Sequence, residues 1–202
     1  CALEHIAAKP IGAYSYGISG NDAWGEAVFH ITGAVVHQYD CFVLERPTCR
    51  SPPCSFVFHE ECVTGSPPLP GRSNTLSAHL QANGHAAVAQ ARLLLKVDIE
   101  GSEWRVFSTA KAEDLQKFQQ IVVELHMPYA NLLIDAEQLQ VRLETMRNLL
   151  AVFIVVHVHP NNMCGSSGEC LEVTFVHRSL IQPTACRRPR RHMLDAPVNR
   201  AR

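Results

Sequence analysis

Three acids, Asp98, Glu100 and Glu103, follow the apolar run LLLKV of 93–97 in quick succession. Carboxylates crowded at the end of a buried strand repel one another unless something cationic or hydrogen-donating lies among them. Other apolar runs close in the same way. Asp40 follows GAVVHQY, His59, Glu60 and Glu61 follow SFVF, and Glu124 and His126 sit within IVVELHM. Such a set could attract a positively charged small molecule and could also take a proton from a substrate, for which Asp98, Glu124 and His126 are the candidate groups.

These groups matter together only if the chain brings the ends of those runs to one edge. Strand-like runs cover 11–16, 33–39, 55–60, 93–99, 121–127, 152–158 and 171–177. Helical composition falls at 23–32, 75–91 and 111–120, and the clearest amphipathic pattern at 136–150, with Leu139, Leu143, Met146 and Leu150 as its apolar stripe. Strands alternating with helices predict a parallel sheet covered on both faces. The last two runs are joined by a turn-rich loop without a helix, which predicts an antiparallel hairpin. The expected fold is therefore α/β, a doubly wound seven-stranded sheet, mostly parallel, ending in an antiparallel hairpin. One domain is expected over 1–182, followed by a basic tail at 183–202.

In an open sheet of this kind ligands bind beyond the carboxyl ends of the strands, near the point where strand order reverses. After the first strand comes YGISGND, where Gly17 and Gly20 allow a tight turn and close approach of backbone to a ligand. Asn21 or Asp22 would cap the next helix. Asp40 lies near the spacing at which an acid reaches ribose hydroxyls in dinucleotide sites. The loop reads G-x-x-G rather than G-x-G-x-x-G, which weakens an oxidoreductase reading with NAD. It also misses the G-x-S-x-G pattern, so Ser19 is a poor candidate for a hydrolase nucleophile.

At 202 residues, 47% hydrophobic and 18% charged, the chain is of a size and composition for one globular domain. Six of its arginines lie in 187–202, which leaves 12 basic against 18 acidic residues in 1–186. So acidic a body argues against a nucleic-acid partner, since neutralising phosphates needs a basic surface. No apolar run is long enough for a transmembrane span. The chain begins at Cys1 rather than Met, so a preceding N-terminal region is expected.

The cysteines number eight, four of them (Cys41, Cys49, Cys54 and Cys62) close together, with Cys164 and Cys170 flanking GSSGE. Local disulfides, free thiols and a zinc site using Cys49, Cys54, His59 and Cys62 are all compatible with these positions. A second metal arrangement would join His157 and His159, on one face of a strand, to Cys164. No metal is expected in the site at the strand ends. Disulfides would favour the secretory pathway or Golgi lumen over the cytoplasm.

VDIEGSEW at 97–104 resembles the D-[IV]-E-G-x-E signature of FkbM-type S-adenosylmethionine-dependent methyltransferases, and more closely the related eukaryotic methyltransferase-like proteins. The resemblance extends to AYSYGISGNDAWGEAV, VVHQYD, IVVELHM, HVHPNN and LEVTFVHR, and covers most of 12–178. It implies a Rossmann-like sheet with a reversed last strand and S-adenosylmethionine as cofactor. Gly17, Ser19 and Gly20 would then approach the methionine part, Asp40 the ribose, residues near Glu60 and Glu61 the adenine, and Asp98 the sulfonium and the acceptor. The expected reaction is O-methylation of a small molecule or glycan. The first loop lacks the E/D-x-G-x-G-x-G form, and the alternative is a relative that has lost its chemistry and serves as an interaction module.

Overall fold

The computed structural model describes residues 9–43, 45–127, 134–161 and 170–181. The chain starts with β1 (Gly12–Tyr16), α1 (Ala23–Thr32), β2 (Val35–Tyr39) and β3 (Phe56–His59). Two short strands, β4 (Cys62–Thr64) and β5 (Ser73–Thr75), then pair in parallel as a separate ribbon that the sequence did not announce. The remaining elements are α2 (Leu76–Ala82), β6 (Leu93–Val97), α3 (Glu103–Thr109), α4 (Ala112–Leu115), β7 (Phe118–His126), α5 (Ala136–Val152), β8 (Phe153–Asn161) and β9 (Cys170–His177).

Seven strands form one sheet in the order β3-β2-β1-β6-β7-β9-β8. All neighbours are parallel except β9, which runs antiparallel to both β7 and β8. This is the expected α/β architecture, Rossmann-like with a reversed strand inserted near one edge. Strand order reverses between β1 and β6, so the carboxyl ends of those two strands flank the switch point.

Alternation along the strands divides the core. Tyr14, Tyr16, Leu93, Leu95, Val97, Ile121, Val123 and Phe175 point to the face covered by α2, α3, α4 and α5. Ala13, Val36 and Leu94 point to the other face, where Val28, Trp24 and Phe29 of α1 pack on them. Both faces carry helices, but unequally among the described residues.

Three sequence expectations shift. The helix expected over 75–91 ends at Ala82, where Asn83 caps it and Gly84 turns with φ +75°. The helix expected over 111–120 is a single turn, because Phe118 and Gln120 are buried at the start of β7. On α5 the leucines Leu139, Leu143 and Leu150 face outward, and the inner face is Val141, Thr145, Leu149 and Val152. Polar bonds set that rotation: Thr145 Oγ1 donates to the Trp104 carbonyl (2.7 Å), and Asn148 Nδ2 donates to the carbonyls of Phe107 and Ser108 (3.0 Å each). The Phe107 and Ser108 carbonyls lie in the last turn of α3, where no intrahelical N–H reaches them, and Asn148 supplies the donor.

No helix of the described residues is long and apolar enough to cross a membrane. The tail expected at 183–202 and the hairpin loop with Cys164 lie outside the described residues.

Candidate functional site at the switch point

The turn from β1 to α1 is fixed by backbone contacts before any ligand is considered. Gly17 has φ +72°, and a Cβ there would lie 1.6 Å from the carbonyl oxygen of Asp98. Only glycine permits that approach. Asp98 N–H in turn donates to the Tyr16 carbonyl (3.1 Å), which locks the end of β6 beside the end of β1. Ser19 and Gly20 also take positive φ, at 47° and 75°. Asp22 ends the turn as the N-cap of α1, accepting from Gly25 N–H (2.7 Å), Ser15 Oγ (3.1 Å) and Gln38 Nε2 (2.8 Å).

Asp40 sits under this turn. Its Oδ2 accepts from the backbone N–H groups of Ile18 (3.2 Å) and Ser19 (3.0 Å), and its Oδ1 from those of Phe42 and Val43 (2.9 Å each). Burial disfavours the charge, but these four donors hold the carboxyl below its ordinary range. The acid that ends β2 is thus the organiser of two loops, and its lone-pair positions are occupied by the protein itself.

Beyond the ends of β1, β2 and β6 lies a cavity of about 300 Å³. It is lined by Tyr16, Gly17 and Ser19 at the end of β1, by Tyr39 to Val43 at the end of β2, by Glu61 to Val63 at β4, and by Asp98 to Glu100 with Ser102 after β6. Of the residues singled out from sequence, Gly17, Ser19, Asp40, Glu61, Asp98 and Glu100 line it. Gly20 does not, and Glu60 instead pairs with Arg72 on the surface (3.1 Å). Its neighbour Glu61 takes the place in the wall. Phe42, 91% exposed at the rim, and the buried Tyr39 are lining residues for which the sequence offered no signal.

A second polar cluster spans the ends of β6 and β7. Lys96 Nζ donates to the Gly17 carbonyl (2.9 Å) and lies 3.4 Å from Asp98 Oδ2. Asp98 and Glu124 stand at the ends of adjacent parallel strands, and Asn161 Nδ2 donates to Glu124 Oε1 (2.6 Å). Burial first, and the Asp98 charge second, push Glu124 up to about 7. His126 lies between carboxylates: Nδ1 is 3.3 Å from Glu103 Oε1 and Nε2 is 3.3 Å from Glu100 Oε2. The hydrogen bond to Glu103 is the largest cause holding the imidazole up at about 9. Glu103 is fully buried, accepts also from the backbone N–H of His126 (2.7 Å) and of Gly101 (2.9 Å), and lies in the first turn of α3.

His126 is accordingly an imidazolium at neutral pH, with both ring nitrogens facing carboxylates. Asp98, Glu100 and His126 offer ligand atoms within 4.8 Å of one another. Without a metal, the imidazolium supplies the positive charge among these acids. The zinc arrangement considered from sequence is closed off. Cys41 is bridged to Cys62 and Cys49 to Cys54, so three of its four proposed ligands are in disulfides. Cys170 is disulfide-bonded as well. His157 and His159 stack with parallel rings on β8, while Cys164 lies outside the described residues.

No protein-family model and no curated protein sequence matches the chain. Among solved structures, an S-adenosylmethionine-dependent methyltransferase from Mesorhizobium loti aligns over 87% of this chain and 96% of its own, at 13% identity and a TM-score of 0.40. A Listeria monocytogenes protein assigned to the same class aligns over 88% and 96%, at 8% identity and a TM-score of 0.42. The antibiotic-resistance methyltransferase Kmr aligns over 87% and 92%, at 11% identity and a TM-score of 0.37.

Proposed function

We propose that the domain binds S-adenosylmethionine in the cavity at the switch point and methylates an oxygen of a small molecule or glycan. The observation that carries this reading is the position of the Asp98–Glu124 carboxyl pair. It stands at the ends of adjacent parallel strands, beside a glycine turn that lets backbone approach a ligand, with one member poised near neutral pH.

The residues present suit such a cofactor. Asp98 and Glu100 give the mouth negative charge, which favours a ligand carrying a sulfonium and an ammonium. Phe42, Val63 and Ile99 provide apolar surface for a base, and the turn at Gly17–Ser19 permits close approach. When bound, the cofactor supplies an electrophilic methyl group on sulfur. Glu124 accepts the proton of the acceptor hydroxyl, and Asn161 orients its carboxyl. His126 serves in this scheme as a fixed positive charge rather than as a base, because its carboxylate neighbours keep it protonated. The disulfides support an oxidising compartment such as the secretory pathway.

Calorimetry with S-adenosylhomocysteine tests the reading directly. Binding in the micromolar range is expected, and no heat at millimolar ligand from a folded sample would sink it. One observation favours the competing interaction-module reading: Asp40 has its acceptor positions filled by backbone N–H groups. Binding together with methyl transfer to any acceptor eliminates that alternative.

A further inference from the structure

Four carboxylates line the cavity, and their partners distinguish them. Asp40 accepts from four backbone N–H groups. Asp98 faces Lys96 Nζ at 3.4 Å. Glu100 faces His126 from an 88% exposed position at the rim. Glu61 differs from all of these: its Oε2 lies 3.1 Å from His79 Nε2, and its Oε1 has no partner among the described residues.

The support behind Glu61 is directional. A carboxylate only accepts, so Nε2 of His79 carries the proton, and Nδ1 accepts from the Tyr16 hydroxyl at 3.0 Å. His79 is 1% exposed, its ring stacks on Tyr39 at 4.2 Å, and Tyr39 stacks in turn on His59 at 4.2 Å. Burial pushes His79 down to about 3, so the ring stays neutral and keeps this single tautomer. The Cys41–Cys62 bridge ties the loop after Asp40 to β4, immediately after Glu61. A buried, stacked imidazole that fixes one oxygen of a cavity-lining carboxylate leaves the other presented to a ligand.

We propose that Glu61, positioned by His79, is the carboxylate that receives the ribose hydroxyls of an adenosine-type ligand, in place of Asp40. The inference rests on the cavity being a site for S-adenosylmethionine. A ribose offers two adjacent donors and needs an acceptor with free lone pairs, which Asp40 lacks and Glu61 has. Asp40 then acts through the loops it holds, and His79 is a positioning residue rather than a catalytic one.

The test is calorimetry on the full chain with S-adenosylhomocysteine, its 2′-deoxy and 3′-deoxy analogues, and its analogue lacking the purine 6-amino group. Wild-type protein should lose about ten-fold in affinity with at least one deoxy analogue, as expected for a hydrogen bond to a charged group. Glu61→Gln should weaken the parent ligand by a similar factor and abolish the discrimination against deoxyribose. His79→Leu should do the same, and His79→Gln, whose amide can still donate to Glu61, should restore much of it. A purely structural role for His79 would lower affinity for all ligands alike and leave the deoxy ratio intact. Should His79→Leu fail to fold, the Glu61→Gln ratio decides alone.

Full deoxy discrimination in Glu61→Gln overturns the assignment. So does a Glu61→Gln loss that follows the 6-amino group instead, since that places the carboxylate at the base. Failure of the wild-type protein to bind the parent ligand removes the methyltransferase reading and this inference with it. Binding without the Glu61-dependent ratio removes the inference alone.

Discussion

The α-carbon of Gly17 faces the carbonyl oxygen of Asp98 so closely that a methyl group there would lie 1.6 Å from it. That contact joins the two strand ends on either side of the switch point, and backbone rather than side chains sets the distance. Gly17→Ala must therefore move the end of β6 as well as adopt a strained φ. We expect a loss of more than about 2 kcal/mol in stability by urea denaturation, together with loss of S-adenosylhomocysteine binding. Gly20→Ala is the control. Its Cβ would meet Val43 at an ordinary 3.6 Å, leaving only the conformational cost of about 1 kcal/mol.

The Asp98–Glu124 pair predicts a pH profile. Methyl transfer should rise with pH as Glu124 loses its proton, with an apparent midpoint near the value of about 7 at which it is held. Glu124→Gln should remove that limb and lower kcat by about 10²-fold or more, with little change in cofactor affinity. A profile that keeps the same midpoint in Glu124→Gln would assign the base elsewhere.

Buried imidazoles should make the protein acid-labile. His37 is pushed down to about 4, first by burial and then by His85 and His59, while its unfolded value stays near the ordinary 6.5. The unfolded chain therefore binds more protons between those limits, and stability falls as pH drops from about 6.5 towards 4. His126 has the opposite sign. Held up at about 9, it contributes stability that is complete below about 6.5 and is lost as pH rises through 9. His37→Asn should flatten the acid limb by about 1 kcal/mol after allowance for partial solvent screening, as read by denaturation at pH 7 and pH 5.

The two disulfides should differ in what their removal does. Cys41–Cys62 spans a sequence separation of 21 and Cys49–Cys54 one of 5. Loop-closure entropy gives about 3 kcal/mol for the first and about 2 for the second. The first also fixes the cavity wall between Asp40 and Glu61. Paired Cys41→Ser/Cys62→Ser should therefore weaken S-adenosylhomocysteine binding as well as stability, whereas Cys49→Ser/Cys54→Ser should change stability alone.

The doubly covered, mostly parallel sheet could be anticipated because long apolar runs such as LLLKV at 93–97 and IVVELH at 121–126 have no plausible place elsewhere. The reversed β9 followed from the missing helix between the last two runs. Helix rotation was not legible. On α5 the leucine stripe is the stronger periodic signal, yet Thr145 and Asn148 decide the orientation through carbonyls on α3, a contact between residues about forty positions apart. The site behaved similarly. Asp98 and Gly17 were visible because their types are unusual at strand ends. Asp40 was visible too, but its four backbone donors depend on how two loops fold around it. His79 gave only a faint signal, a histidine beside Leu76 and Leu80 on an otherwise apolar helix face, and its link to Glu61 arises from the β4–β5 ribbon, which short polar strands do not advertise.

Trp104 connects the polar cluster to something measurable without labels. Its indole N–H donates to the carbonyl of His126 at 2.6 Å, and the Arg142 guanidinium lies 5.0 Å from its ring centre. The chain has only one other tryptophan, Trp24 on α1, which packs on the opposite face of the sheet. Intrinsic fluorescence can therefore be split by a single Trp24→Phe replacement, leaving an emitter bonded to the backbone of the charged histidine. Any rearrangement of that histidine would register as a change in the colour or intensity of its emission, giving the protein a native optical gauge at its own candidate active site.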